Sequence, residues 1–217
     1  MSTRGESGRP GSDSGRPGSG EDYNPGPPTP PRQAATVILL RDGDGLEVLL
    51  VKRTPEARFM GGVWVFPGGA VDQGEGDGDE AHRAAAIREL REEAAITLED
   101  PDALVKFSRW ITPAEVRMRF DTHFFLASLP PGQEPKIDGQ ECVDLGWFTP
   151  AAALDAHRAG DIVLVFPTIR HLEQLSGFSS VEDLLAYARS RDVLPIQPKV
   201  IVEGEVARVL LPGDPGY

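Results

Sequence analysis

Three glutamates stand close together near the middle of the chain, in the run Arg88-Glu89-Leu90-Arg91-Glu92-Glu93. On a helix, Glu89, Glu92 and Glu93 occupy positions i, i+3 and i+4 and bring three carboxylates within a turn of one another. Such charges repel unless a cation lies among them, and hard oxygen donors of this kind suit Mg²⁺ or Mn²⁺, with water completing the coordination. The run equally suits an ordinary solvated helix face, on which Arg88 and Glu92 form an i,i+4 pair worth about 0.2–0.5 kcal/mol. What turns the reading toward a metal is the stretch before it. Phe66-Pro67-Gly68-Gly69 forms a turn, followed by a loop containing Gly74, Gly76, Asp77, Gly78 and Asp79, where backbone can approach a ligand closely.

The element that must carry these carboxylates is a helix from about Glu80 to Ala95, rich in Ala, Leu, Arg and Glu and free of Pro and Gly. Its apolar stripe, Ala84, Ile87, Leu90 and Ala94, is expected to pack on a sheet.

At these residues the chain resembles the Nudix hydrolases, whose signature is G-x5-E-x7-R-E-U-x-E-E-x-G-U with U aliphatic. Gly74, Glu80, Arg88, Glu89, Leu90, Glu92, Glu93 and Ile96 match it with literal spacing, while Ala95 replaces the last glycine. Counted instead from Gly69, the loop glutamate is Glu75 and residues 76–80 are an insertion, so Glu75 and Glu80 compete for one role. The resemblance implies an α/β/α sandwich with a mixed β-sheet and extra C-terminal helices. It further implies a pyrophosphohydrolase whose Mg²⁺ or Mn²⁺ is held by Glu89, Glu92, Glu93 and the Gly68 carbonyl. Arg88 is then the partner of the loop glutamate, presenting the acidic face correctly.

Upstream, residues 1 to about 33 are dominated by Gly, Ser, Pro and Arg, with Ser-Gly-Arg-Pro-Gly-Ser occurring twice; such a segment is expected to be a disordered tail. Residues 34–217 then form one Nudix hydrolase domain. Ala35 to Arg41 and Leu46 to Arg53 read as a hairpin across Asp42-Gly43-Asp44-Gly45. Lys52, Arg53 and Arg58 follow, either solvated or facing a phosphate. Arg53, Thr54, Arg58, Gly62, Phe66, Pro67, Gly68 and Gly69 resemble the extra motif R-S/T-x3-R-x3-G-x-V-x-F-P-G-G of the coenzyme A and acyl-CoA diphosphatases, with Trp64 at the valine position. On that likeness Arg53, Arg58 and Gly69 are substrate-binding positions.

Downstream, Leu104 to Ile111 and Arg117 to Ala127 read as strands. Asp121 and His123 share a face of the second and are expected to satisfy each other in the core. A strand from Cys142 to Phe148 follows a turn at Asp138 to Glu141, then Thr149-Pro150 opens a helix to about Ala159. The family resemblance makes Glu141, with Asp144 second, the candidate for a further metal ligand or for the base that deprotonates water; Glu92 is the other candidate base. Helices are expected at Pro167 to Leu175 and Val181 to Arg189, and an interrupted strand from Lys199 to Leu211. This last third either packs on the core, covers a substrate pocket or forms a homodimer interface.

Length and composition bound these readings. The 217 residues carry a net charge of −12, which argues against a nucleic-acid-binding surface but not against a small phosphorylated substrate whose charge a metal answers. Cys142 is the single cysteine, which excludes an internal disulfide and suits a reducing cytoplasm. No apolar run is long enough for a bilayer, so no membrane partner is expected. The resemblance thus implies cleavage of a nucleoside diphosphate linked to another moiety, with coenzyme A or acyl-CoA favoured, over ADP-ribose, a dinucleotide or a damaged nucleotide. A catalytically silent nucleotide sensor is the reading from another class.

Overall fold

The run Ala-Ala-Thr-Val-Ile-Leu-Leu is apolar on both faces of a strand, as a central strand covered on two sides requires. It lies within β1 (Arg32–Gly43), which turns through Asp44 into β2 (Gly45–Arg53). The four-residue turn expected there shrinks to a single tip residue, because Gly43 already pairs with Gly45 and Gly45 takes φ +111°, a conformation open to glycine. The computed structural model describes residues 24, 26–57, 60–203 and 206–217. Arg58 and most of the expected tail lie outside the described residues; the described part of that segment already includes the start of β1.

Short strands β3 (Trp64–Val65) and β4 (Gly68–Ala70) flank the Phe-Pro-Gly-Gly turn, with β4 antiparallel to the first half of β1. Then come helix α1 (Gly78–Ala94), a 3-10 turn at Pro101–Ala103, β5 (Val105–Ile111), β6 (Phe120–Ser128) and β7 (Cys142–Phe148). Helices α2 (Pro150–Ala159), α3 (Phe166–Leu175) and α4 (Val181–Arg189) follow, then β8 (Pro195–Ile196) and a separate hairpin of β9 (Lys199–Glu203) and β10 (Val206–Leu210). The main sheet runs β3-β2-β1-β6-β5-β8, with β4 beside β1 and β7 beside β2. It is mixed: β1 is parallel to β6 and β5 to β8, while the other pairs are antiparallel.

The pleat sends alternate residues to two cores. Val37, Leu39, Leu49, Phe125 and Ala127 pack with Ala85, Ala86, Leu90 and Ala94 of α1. Ile38, Leu40, Val48, Leu50 and Leu126 pack on the opposite face with residues of α2 to α4, such as Ala153, Leu172 and Leu184. The architecture is therefore α/β/α around a mixed sheet, with extra C-terminal helices. No helix among the described residues is long and apolar enough to cross a membrane.

Two details depart from expectation. Ala84 is exposed, and the buried stripe of α1 runs instead through Ala81, Ala85, Ala86, Leu90 and Ala94, where small side chains let the helix lie close to the sheet. Asp121 and His123 do not satisfy each other. Asp121 accepts two hydrogen bonds from Arg109 across the β5–β6 pair (2.8 and 2.6 Å), and a guanidinium fork binds a carboxylate better than a neutral imidazole does. His123 instead stacks on His82 of α1 with ring centroids 3.8 Å apart. Burial, helped by the neighbouring His82 and Arg109, pushes the His123 imidazole down to about 4, so it is neutral at physiological pH.

Candidate active site

Packing α1 against the sheet by its alanines brings its acidic side to the Gly68-Gly69 bend of β4. The three glutamates do not share one environment: the side chains of Glu93, Glu89 and Glu92 are 3, 12 and 50% exposed. Glu93 is next to the buried Ala94 and faces the sheet, so the run is not an ordinary solvated helix face. Its Oε2 accepts the Gly68 backbone N–H (2.9 Å), and its Oε1 lies 4.0 Å from Nη1 of Arg53. Burial pushes the Glu93 carboxyl up to about 7, against the pull of the Gly68 amide. Glu89 is also raised, by burial first, and by the charges of Glu92 and Glu141. At Gly69 a Cβ would stand 2.5 Å from the carboxyl carbon of Glu89, so any side chain there would have to push that carboxylate aside.

Arg88 is the hub of the exposed half. Its Nε donates to Glu75 (2.8 Å), its Nη1 to Glu89 (2.7 Å) and Glu92 (3.1 Å), and its Nη2 to the Ala70 carbonyl (2.9 Å). Glu75, not Glu80, is thus the loop glutamate on Arg88. Glu75 is itself oriented by the Asp72 N–H (2.7 Å), which closes a compact loop between the bend and the helix. The insertion after Glu75 lets Glu80 ride on α1 away from Arg88. Among the described residues no three His, Cys, Asp or Glu side chains are grouped to enclose a metal ion; Glu75, Glu89 and Glu92 gather on the guanidinium instead.

The remaining candidates come from the sheet. Arg53 ends β2 and its Nε is buried without an acceptor among the described residues. Lys52, the preceding residue, pairs in register with Trp64 and Asp144. Glu141 is exposed just before β7, its N–H bonded to Asp138 (2.9 Å) and its carbonyl to the Thr54 N–H (2.8 Å). Asp144 accepts its neighbour's Leu145 N–H, so its carboxylate is turned to its own backbone.

Three participants escaped the sequence reading. Asp138 fixes the Glu141 loop by accepting two backbone N–H groups, a role its Asp-Gly turn signals. Asp72 supplies the amide on Glu75. Cys142, fully buried, lies beside Glu93, whose charge together with burial raises the thiol well above its ordinary value. Nothing local marks Cys142, which reaches Glu93 only through the packing of β7 near α1, whereas the Asp72 contact lies within its own loop.

The model of the NUDIX domain matches residues 30–165. The Caenorhabditis elegans protein named "Putative nudix hydrolase 7" is 28% identical over 222 residues, 86% of this chain and 74% of that protein. The Gallus gallus acyl-coenzyme A diphosphatase NUDT19 is 30% identical over 125 residues, 53% of this chain; the chain spans only 32% of that relative's length. Among solved structures, a NUDIX hydrolase from Alicyclobacillus acidocaldarius superposes with a TM-score of 0.66 at 27% identity, covering 73% of this chain and 96% of that one. With the family model spanning well over half of the chain, and with the helix, bend and loop joined as described, the chain belongs to the Nudix hydrolases.

Proposed function

We propose that the protein is a metal-dependent hydrolase of the diphosphate bond in a nucleoside diphosphate linked to another group, with coenzyme A or an acyl-CoA as substrate. The observation that carries this reading is the packing of Glu89 and Glu93, both largely removed from water, against the Gly68-Gly69 bend. Two neighbouring carboxyls driven upward by burial mark a place where negative charge is only partly answered, and every donor there is a hard oxygen. In donor chemistry these residues suit Mg²⁺ or Mn²⁺, which Glu89, Glu92, Glu93 and the Gly68 carbonyl would hold if Glu89 and Glu92 turned from Arg88. Bound there, such an ion supplies charge neutralisation for the diphosphate and a lowered pKa for the attacking water.

The chain's own groups have distinct tasks in this reading. Arg88 spans Glu89 and Glu92 through one nitrogen, while Glu75 and the Ala70 carbonyl hold the rest of the guanidinium, so Arg88 would stay in place if Glu89 and Glu92 served as metal ligands. Glu141, on a loop pinned by Asp138, is assigned the general base, a role typically worth about 10² to 10⁴ in rate; Glu92 is its competitor. Arg53, with its unpartnered Nε, is assigned to a substrate phosphate, together with Arg58 and the Gly69 backbone. The acyl-CoA assignment is supported by the Arg53 to Gly69 pattern and by the likeness to a protein named an acyl-coenzyme A diphosphatase.

The test is turnover of coenzyme A, ADP-ribose and NADH with and without Mg²⁺, read by chromatographic separation of the products from the intact substrate. Coenzyme A should be cleaved fastest, to phosphopantetheine and an adenosine bisphosphate, and only with metal. Faster turnover of ADP-ribose or NADH would remove the substrate assignment. Turnover of none would remove the reaction and leave nucleotide sensing.

A further inference from the structure

We infer that a cleft between the C-terminal end of α4 and the free edge of β5 binds a small phosphate-bearing anion, at a site separate from the acidic helix face. The edge is free because β8 pairs only with Arg109 and Trp110, leaving Val105 to Phe107 without a strand on that side among the described residues. The cavity there is about 480 Å³. Four of its ten lining residues are the cations Arg83, Lys106, Arg189 and Arg191, two are the acids Asp102 and Asp192, and the other four are aliphatic. That balance reverses the chain as a whole, in which 34 acids face 22 Lys and Arg. A positive cleft on a negative protein is a local feature that the overall charge works against, not a by-product of it.

The partners of these cations leave charge unanswered. Arg83 and Lys106 share one carboxylate, that of Asp79 (3.0 and 2.8 Å), and the other bonds of Arg83 go to the neutral Pro101 and Leu104 carbonyls (both 2.7 Å). Arg191 makes no ion pair among the described residues: its Nη groups go to the Phe107 carbonyl and the Tyr187 hydroxyl, both neutral. Its guanidinium is flanked by the Phe107 and Tyr187 rings at 5.2 and 5.0 Å, and its Nε is buried with no acceptor. Arg189, exposed in the last turn of α4, has no ion pair either among the described residues. The partial negative charge at the end of α4, about half an elementary charge, answers only part of this surplus. Asp102 and Asp192 limit the surplus without cancelling it. A phosphate group, with close to two negative charges and several acceptor oxygens, matches converging guanidinium and ammonium donors better than a single carboxylate does.

The probe is inorganic pyrophosphate, titrated in EDTA into the ¹⁵N-labelled full chain and followed by amide shifts, with affinity from calorimetry. Shifts should cluster at Arg83, Leu104 to Lys106 and Ala188 to Val193. Lys106→Gln combined with Arg189→Gln should weaken binding about tenfold or more, as expected for lost charge-assisted contacts. These two side chains are exposed, so the variant keeps its fold. Shifts confined to Gly68, Gly69 and α1's acidic face, unchanged affinity in the double variant, or no shifts at millimolar pyrophosphate would each overturn the inference. None of these outcomes depends on whether the chain hydrolyses coenzyme A.

Discussion

Replacing Glu93 by Gln should make the metal-free protein more stable, not less, at alkaline pH. The carboxyl is raised from its ordinary 4.5 to about 7, chiefly by burial, so folding holds it in the neutral form across that interval. Stability from this group is therefore fully present below 4.5 and is lost as pH rises through about 7. At about 1.4 kcal/mol per pH unit, the ionised Glu93 costs the folded state about 3 kcal/mol under alkaline conditions. Gln removes that cost and its side-chain oxygen still accepts the Gly68 N–H. Arg53, 4.0 Å away and partly exposed, already pulls the carboxyl below where burial alone would put it, so the cost includes its attraction. For a chain of this size the net gain corresponds to a melting temperature higher by the order of 5–10 °C. Thermal unfolding in EDTA at about pH 8.5 and about pH 5 should show the gain at the first and little at the second. Adding Mg²⁺ at about a hundred times its dissociation constant should then raise the wild type by about 2.7 kcal/mol and the variant by far less. A Glu93→Gln protein that melts at or below wild type at the alkaline pH would refute the assignment of Glu93 as a buried, charge-strained carboxylate.

Other residues give independent tests. Gly69→Ala should abolish most turnover while lowering the melting temperature little, because the new methyl displaces only the flexible end of Glu89; comparing activity with thermal unfolding checks this. Arg53→Ala removes a cation that lowers the Glu93 carboxyl, so the pH–rate profile should move to higher pH and KM for coenzyme A should rise. His171 is fully buried, accepts or donates with Ser108 Oγ at 2.6 Å and is held at about 3 against an ordinary 6.5, chiefly by desolvation. Its contribution is present above 6.5 and is lost as pH falls toward 3, up to about 5 kcal/mol, so His171→Phe should flatten the acid side of the stability curve. Ala95 ends α1 with φ +55°, and Ala95→Gly should add about 0.5–1 kcal/mol in a denaturant titration.

Local chemistry was legible where the determinants are local. The bounds of α4 follow from Ser180, which caps it, and from the Ser-Gly pair that ends α3 before it. The spacing of Glu89, Glu92 and Glu93 follows from helical geometry alone. What could not be read is which way the helix rolls: Glu93 is buried because α1 turns Ala81, Ala85, Ala86, Leu90 and Ala94 to the sheet, leaving Ala84 exposed and Ile87 at the margin of the core. The choice between Glu75 and Glu80 likewise depends on Asp72 folding the loop back on itself. Asp121 pairs with Arg109 through strand register, which no single strand announces. The two-residue strands β3 and β8 are set by pairing with longer partners and carry no periodicity of their own.

Arg88 has a consequence for the order of events in the cell. Its guanidinium is a counterion carried by the polypeptide itself, engaging Glu75, Glu89 and Glu92 together. A nascent chain can therefore fold with these carboxylates already neutralised, and on the proposed reading metal uptake would follow folding as a separate, reversible step. Protein made under chelation should emerge intact and regain its activity when the ion is restored, with no refolding in between.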